Sequence, residues 1–536
     1  RDLLTWTVER ETRAEPLTYV FKRRGVKEAY VATLEDDFRL SSNLDQNALF
    51  ISIQGNANRS EPRLYFVYPE NWDFRFTPSV LDFLSEQRNY TFRPLKSVNE
   101  ALSVFADSLR GYVVFDPNVR TSLIVAFTIA GLTDSVVVSP RQVALVEDNG
   151  LRCTEDLRGR YDGLTDAEIY RAAKDAYFKS CTKEYAVWIG GEHGDVMKPG
   201  VADWGMANQM FFTDLSTNPE HAQEYELAEE LLGELEPNSL IFGWHSYRKD
   251  TEEQHVTLCS HFGHRVEGLH TLPNMSFTHH IPTSPGFSFR NNHTVLPDEV
   301  LQPERKVYVT CLQTDCLGIG AWTRPGRGRI PYAWEVTMNW VWLAPAMMEY
   351  FYTQATPKDY FIGALSGPGY MYPKAVPPDK LQPILERAND LMATLDLRVF
   401  EIMDYSQGFF HTGTVDLPEK IVDAYYENMP NAHAFLNGYG PAATFTVRDG
   451  RPLLSFDYYV HPTTPEAEVT ADLEELARLN PARPYFLLLH VRNFADITRV
   501  VRILEKLGDE FEVVAMDRFV KLAAAQPTFR ERFLEE

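Results

Sequence analysis

LAPAMMEYFYTQATPKDYFIGALSGPGYMYPKAVP runs from residue 343 to 377 and shows the rhythm of the carboxyl-terminal half. Its first part completes WVWLAPAMMEYFYTQ (340–354), an apolar helical stretch. DYFIGAL (359–365) is a short, nearly unbroken apolar run, the pattern of a strand covered on both faces. Glycines and prolines then stop the strand and open a loop. The same alternation extends both ways. SLIFGWH (239–245) and KVYVTCLQTD (306–315) come before it. LRVFEIMD (397–404), AHAFLNGY (432–439), PLLSFDYYV (452–460), PYFLLLHV (484–491) and FEVVAMD (511–517) come after. KLQPILERANDLMATL (380–395) and ITRVVRILEKL (497–507) read as helical crossovers. Strand candidates with helical connections over residues 236–536 predict a (β/α) TIM-like barrel, with an open doubly wound sheet as the competing arrangement. Either way, polar chemistry gathers beyond the strand carboxyl ends.

Residues 1–235 predict an amino-terminal α/β region of two or three small subdomains. RLYFVY (63–68), GYVVFD (111–116) and DSVVVS (134–139) read as buried strands, and SLIVAFTIAGL (122–132) as a buried helix between the last two. That order predicts parallel pairing. An amphipathic helix opens at Thr165, and EYELAEELLGEL (224–235), just before Pro237, marks the expected domain edge.

Composition narrows the function classes. The 536 residues carry 52 Lys+Arg against 75 Asp+Glu, a net charge of −23. Such a field repels a phosphate backbone, so nucleic acid is not an expected partner. No apolar run approaches the length of a membrane span. Aromatic residues make up 13% of the chain. They fill cores, and they also make the flat faces on which sugar rings stack. The five cysteines are too few for a disulfide framework, and Cys311 and Cys316 lack the second pair that a zinc knuckle needs.

The loop after DYFIGAL contains Gly367-Pro368-Gly369-Tyr370-Met371-Tyr372-Pro373, a G-x-G-Y-x-Y-P pattern. Gly367 and Gly369 allow a sharp turn and close approach of another group, while Pro368 and Pro373 stiffen the flanks. This resembles the GxGYxYP family of glycoside hydrolases. GNANRSEPRLY (55–65), AGLTDSVVVSP (130–140) and GMANQMFFTDLS (205–216) also resemble family segments, so the likeness covers most of the chain. It implies an amino-terminal α/β region, a barrel-like carboxyl-terminal domain and action on carbohydrate. One turn departs from the family. After the 306–315 strand the family pattern is an acidic S-D-G-D-N-like turn. Here Thr314-Asp315-Cys316-Leu317-Gly318 keeps Asp315 and puts Leu317 at the second acidic position. Chemistry that rests on both acids is in question at that turn.

Glycoside cleavage needs two carboxyl groups across the scissile bond. The catalytic candidates are Asp315 and Asp404 at strand ends, Glu335 in PYAWEVTMNWVW, and Asp457 inside PLLSFDYYV, where an acid is costly unless paired or lining a cavity. Asp315, Asp404 and Glu335 serve equally well as helix caps. Glu401 in VFEIM raises the same question as Asp457. Trp244, Trp322, Trp334, Tyr370 and Tyr372 are candidate stacking surfaces, and His245, His490 and Arg492, with Asn493 beside them, candidate hydroxyl or carboxylate partners. Asp250, Glu252 and Glu253 read mainly as a solvated loop. The histidines between 245 and 293 lack metal-ligand spacing, so neither metal nor cofactor is expected. The resulting expectation is a secreted or periplasmic glycoside hydrolase acting on a poly- or oligosaccharide. The alternatives are a carbohydrate-binding protein on a degenerate barrel, a polysaccharide lyase or a deacetylase.

Overall fold

The computed structural model describes residues 27–34, 44–68, 79–189, 200–246, 248–267, 274–315, 317, 321–406, 414–492 and 497–535. Four sheets follow one another along the chain. In the first, β1 (Lys27–Thr33) is flanked by β2 (Leu64–Val67) and β3 (Tyr90–Pro94). In the second, β4 (Gly111–Val114) lies between β5 (Ser135–Val138) and β6 (Arg152–Asp156). All of these pairs are parallel. The helix Arg120–Thr133 makes the β4-to-β5 crossover. It is buried over almost its whole length, and Asp134 ends it in the left-handed conformation, with φ of 52°. Thr165 starts the helix Asp166–Tyr177 with a capping box closed by Glu168.

The third sheet has the order β10-β9-β7-β8, from β7 (Tyr185–Ile189), β8 (Phe211–Thr213), β9 (Leu240–Trp244) and β10 (Arg265–Glu267). This moves the expected domain edge. The segment 239–245 is not the first strand of the carboxyl-terminal domain, because β9 pairs with β7 and β10 on either side. A buried parallel strand carries no mark of the sheet it will join, so the helix ending near residue 235 was a crossover rather than a boundary.

The fourth sheet contains β11 (Val307–Gln313), β12 (Tyr332–Thr337), β13 (Asp359–Ala364), β14 (Val399–Ile402), β15 (Ala434–Asn437), β16 (Thr446–Arg448), β17 (Arg451–Ser455), β18 (Tyr458–Val460), β19 (Tyr485–Val491) and β20 (Phe511–Val513). The pairing path is β16-β17-β15-β14-β13-β12-β11-β19-β18, with β20 also on β11, and only the β16–β17 pair is antiparallel. This is a large parallel sheet with helical crossovers, but the ladder ends at β16 and β18, so no closed barrel is found among the described residues. PLLSFDYYV, expected as one strand, is split: β17 pairs with β15, and β18 with β19. The join is Phe456–Asp457. PYAWEV, expected to lead into a helix, is instead β12, between β11 and β13.

Side chains alternate across each strand. One face gathers Leu312, Ala333, Ile362, Val399, Leu436, Leu454 and Leu488, with Met516 and Phe519 of the last helix, in a single cluster. The other face carries Trp334, Phe361, Phe400, Phe435 and Leu489 against the surrounding helices. The sheet is apolar on both sides, as parallel sheets require. The exceptions stand out for that reason: Glu335, Glu401 and His490 fall on the first face and are fully buried.

Candidate active site

β12 sets Glu335 between Trp334 and Val336, so strand alternation turns it toward the face that Ala333 shares. β14 does the same for Glu401, two residues beyond Val399. The Glu335 carboxyl is near enough to act on that of Glu401, and among the described residues neither Glu401 oxygen has a hydrogen-bond donor. Burial is the main reason that Glu401 is pushed up to about 7, and the Asp315 charge adds to it.

Asp315 follows β11 in the left-handed conformation, with φ of 65°. Its Oδ2 lies 2.6 Å from Arg492 Nε, just past β19. This pair is the more open part of the site, the Arg492 side chain being 31% exposed. Burial raises the Asp315 carboxyl, and Arg492 offsets part of the rise. Beside them, His490 Nδ1 donates to the Tyr439 carbonyl at 2.6 Å, leaving Nε2 to accept from the Thr314 hydroxyl. Burial holds this imidazole down to about 3, so it is neutral. His490 therefore ties the ends of β11 and β15 together as a positioning group.

A further carboxyl arrives from the third sheet's domain. Thr251 caps the helix Glu252–His261, and Glu252 is its first residue. The Tyr370 hydroxyl donates to Glu252 Oε1 at 2.7 Å. Burial pushes Glu252 up to about 7, with Glu253 and Asp315 raising it further and Tyr370 and Arg492 opposing. Glu252 is thus in electrostatic contact with the Asp315–Arg492 pair, although it comes from another domain.

The G-x-G-Y-x-Y-P loop makes that meeting possible. Tyr370 forms a two-bond antiparallel bridge with Val266 of β10, at 2.8 and 2.9 Å. The Pro368 carbonyl accepts from Arg265 Nε at 3.1 Å and Asn339 Nδ2 at 2.8 Å. Tyr372 N donates to Ser260 Oγ at 2.9 Å. Gly369 has φ of 106°, and a Cβ there would lie 2.9 Å from the Arg265 Cβ, so the motif needs glycine where it crosses β10. The loop joins the fourth sheet to the third domain, and both tyrosine rings are buried in that junction.

Aromatic rings follow the junction in sequence: Trp244 stacks on Tyr370 (6.0 Å between centroids, 12° between planes), then come Tyr372, Tyr405, Tyr439 and Tyr459 with successive centroids 5.5 to 6.1 Å apart. A cavity of about 420 Å³ lies alongside, lined by Thr251, Glu253, Tyr405 and Ser406 among others.

Several candidates lie elsewhere. Trp334 is on the outer face, donating Nε1 to Asp359 at 2.9 Å, and Trp322 packs against it under Arg327. Both are sealed in the core, Trp334 because it faces the opposite way from its strand neighbour Glu335 and Trp322 because its short helical turn packs against Trp334. Asp404 accepts from Lys374 N at 2.7 Å and Ser406 N at 2.9 Å, securing the far end of the glycine-tyrosine loop. Asp457 sits at the β17–β18 join and acts as a ladder acceptor, taking the Leu488 N–H at 2.7 Å; burial pushes it up to about 7. His245 Nδ1 is 3.1 Å from Asp250 Oδ1, and Asp250 also accepts from Ser246 and Thr217. The Asp250–Glu253 stretch is therefore not a solvated loop. Leu317 is fully buried, as befits an apolar residue in an otherwise acidic turn. Asn493 and Cys316 lie outside the described residues. Among the described residues, no group of three or more His, Cys, Asp and Glu could hold a metal ion.

Fold and site together define a multidomain α/β protein with buried carboxyls gathered beyond its parallel strands. The GxGYxYP_N 1st domain matches residues 29–107, the GxGYxYP_N second domain 109–181, the GxGYxYP third domain 183–280, and the GxGYxYP putative glycoside hydrolase C-terminal domain 305–524. The chain belongs to this family, and the four matches coincide with the four sheets. A crystal structure of a putative hydrolase from Bacteroides thetaiotaomicron VPI-5482 is similar at 18% identity and a TM-score of 0.75, over 94% of this chain and 96% of that one. At that identity the likeness concerns fold. No curated protein matches.

Proposed function

We propose that this protein hydrolyses glycosidic bonds of a poly- or oligosaccharide, with Glu252 as general acid and Asp315 as its ionised partner. The observation that carries this is the meeting of Glu252 with the Asp315–Arg492 pair. One carboxyl is raised to about 7 and keeps its proton near neutrality. The other lies 2.6 Å from a guanidinium that favours its ionised form. Burial raises both carboxyls, but the guanidinium opposes the rise most at Asp315, its hydrogen-bonded partner, so the proton rests on Glu252 and the charge on Asp315. One protonated and one ionised acid is what glycoside cleavage requires. Glu335 and Glu401, buried on the same face of the sheet, add carboxyl groups toward the developing positive sugar ring. Tyr459, the partly exposed end of the aromatic row, offers a ring for stacking. The nearness of β17 and β18 in the chain, Ser455 to Tyr458, supports a large sheet that curls toward a barrel around this floor. A secreted or periplasmic setting, where such polymers are met, belongs to the same proposal.

The test is a panel of poly- and oligosaccharides with analysis of reducing ends. The wild type releases new reducing ends from at least one, and E252Q and D315N, still folded, lose that activity by orders of magnitude. Product with an ultraviolet-absorbing double bond, released acetate without chain cleavage, or binding without product would each replace hydrolysis by lyase, deacetylase or binding function.

A further inference from the structure

At the opposite end of the large sheet, where its strands begin, lies a second cavity of about 260 Å³. Its lining brings together Arg398 just before β14, His433 just before β15, Arg451 at the start of β17 and Lys521 of the last helix. The acids there are Asp449, on an exposed turn, and Asp517. Asp517 is already committed, accepting from Thr294 N at 2.6 Å, Thr294 Oγ1 at 2.7 Å and Arg518 N at 2.9 Å.

The cations are anchored by neutral groups. Arg398 Nη1 donates to the Val295 carbonyl at 3.2 Å. Arg451 donates to the carbonyls of Ala432, at 3.0 Å, Met429, at 3.2 Å, and Tyr426, at 3.0 Å. Lys521 Nζ donates to those of Leu296 and Pro297 at 2.6 and 2.7 Å. Among the described residues, none of these three forms an ion pair with a carboxylate. Such groups hold each other at close range at a cost: burial and the charges of Arg398, His293, Lys521 and Arg451 keep His433 below the usual histidine range. In a chain of net charge −23 the cavity gathers these three cations, without an ion pair among the described residues, against the two acids Asp449 and Asp517. The carbonyls hold the side chains in place while leaving guanidinium N–H groups free to bind. The space is below the usual range for drug-sized ligands, which favours a small anion.

We propose that this cavity binds a small oxyanion, a phosphate or sulfate group, either free or carried on a small molecule. The forked donors of Arg398 and Arg451 suit tetrahedral oxygens, with Lys521 adding a point charge. This site stands apart from the carboxyl site and does not depend on it.

Calorimetric titration of the full chain with inorganic phosphate, sulfate and glucose 6-phosphate, at fixed ionic strength set with chloride, tests this. Saturable binding of one to one stoichiometry is expected, with affinity reduced at least about tenfold in R398Q/K521Q. Tighter binding of glucose 6-phosphate than of phosphate would indicate a carried group, and equal affinity a free ion. Thermal unfolding in chloride checks that the variant is folded, and K179Q, far from the cavity, retains wild-type affinity. No saturable heat with any of the three anions, or equal affinity in wild type and the folded double variant, overturns the proposal.

Discussion

Replacing Tyr370 by Phe isolates one hydroxyl from everything else the glycine-tyrosine loop does. The ring remains to stack on Trp244, and the backbone bridge to Val266 is untouched. What is lost is the 2.7 Å hydrogen bond to Glu252 Oε1, together with a 3.3 Å contact to the Tyr372 hydroxyl. A hydrogen bond to a charged group contributes about 1.5–3 kcal/mol net. At about 1.4 kcal/mol per pKa unit, its loss raises Glu252 by roughly one to two units. Glu252 sits at about 7 in the wild type. As the general acid it works protonated, so kcat/KM falls as pH rises through its pKa. In Y370F this falling limb moves up by about one to two units. Stability shifts the other way. A carboxyl raised in the folded state favours folding at low pH and loses that contribution as pH rises through the folded pKa. Y370F is therefore less stable than wild type above about pH 7, where wild-type Glu252 is ionised and uses the lost bond, and the gap narrows as pH falls below about 7 and Glu252 is protonated in both folded proteins. The assay is the pH profile of kcat/KM on a cleaved saccharide, alongside urea unfolding at several pH values. A folded Y370F whose falling limb stays at the wild-type pH would refute the assignment of Glu252 as acid.

Other positions give independent checks. W334F removes the Nε1 bond to buried Asp359 and should cost about 1–3 kcal/mol in urea unfolding, while kcat/KM stays unchanged; a large kinetic loss would return Trp334 to the substrate. G369A must hold φ of 106° with its Cβ 2.9 Å from that of Arg265. It should destabilise by about 1–3 kcal/mol and increase proteolysis at the junction of the third and fourth domains. Asp457, raised by burial to about 7, weakens the fold as pH rises from about 4 to about 7. D457N keeps an oxygen for Leu488 N–H but cannot titrate, so its stability curve is flatter there, by at most about 4 kcal/mol. An unchanged slope would show that Asp457 is ionised throughout.

Local periodicity carried much of this architecture. The apolar runs at β4, β5, β11, β13 and β19 are strands within a residue or two of their expected bounds, and Thr165 caps its helix as its chemistry suggests. The losses came where tertiary pairing decides. The β9 run was apolar like its neighbours in sequence, yet belongs to the third sheet because β7, fifty residues earlier, lies beside it. PYAWEV is a short apolar run broken by an acid and followed by the helical stretch from Trp340, so it reads as the lead-in to that helix, and with no strand assigned nothing shows that Glu335 and Trp334 face opposite ways. Glu252 was hidden by its acidic neighbours: three carboxyls within four residues look solvated, and only the hydrogen bond from Tyr370, 118 residues later in the chain, separates it from them. A clue was present in the motif, since two tyrosine hydroxyls in a rigid loop require buried partners.

The central claim is that carboxyls from two domains act as one catalytic unit. It is tested most directly by turnover of a cleaved oligosaccharide with E252Q, D315N and the E252Q/D315N double variant, all shown to be folded by near-ultraviolet circular dichroism. Each single substitution should lower kcat at least about a hundredfold. The double variant should be little worse than the poorer single one, as for groups that work as a unit. E252Q turning over at the wild-type rate would remove the third domain from the chemistry and contradict the account.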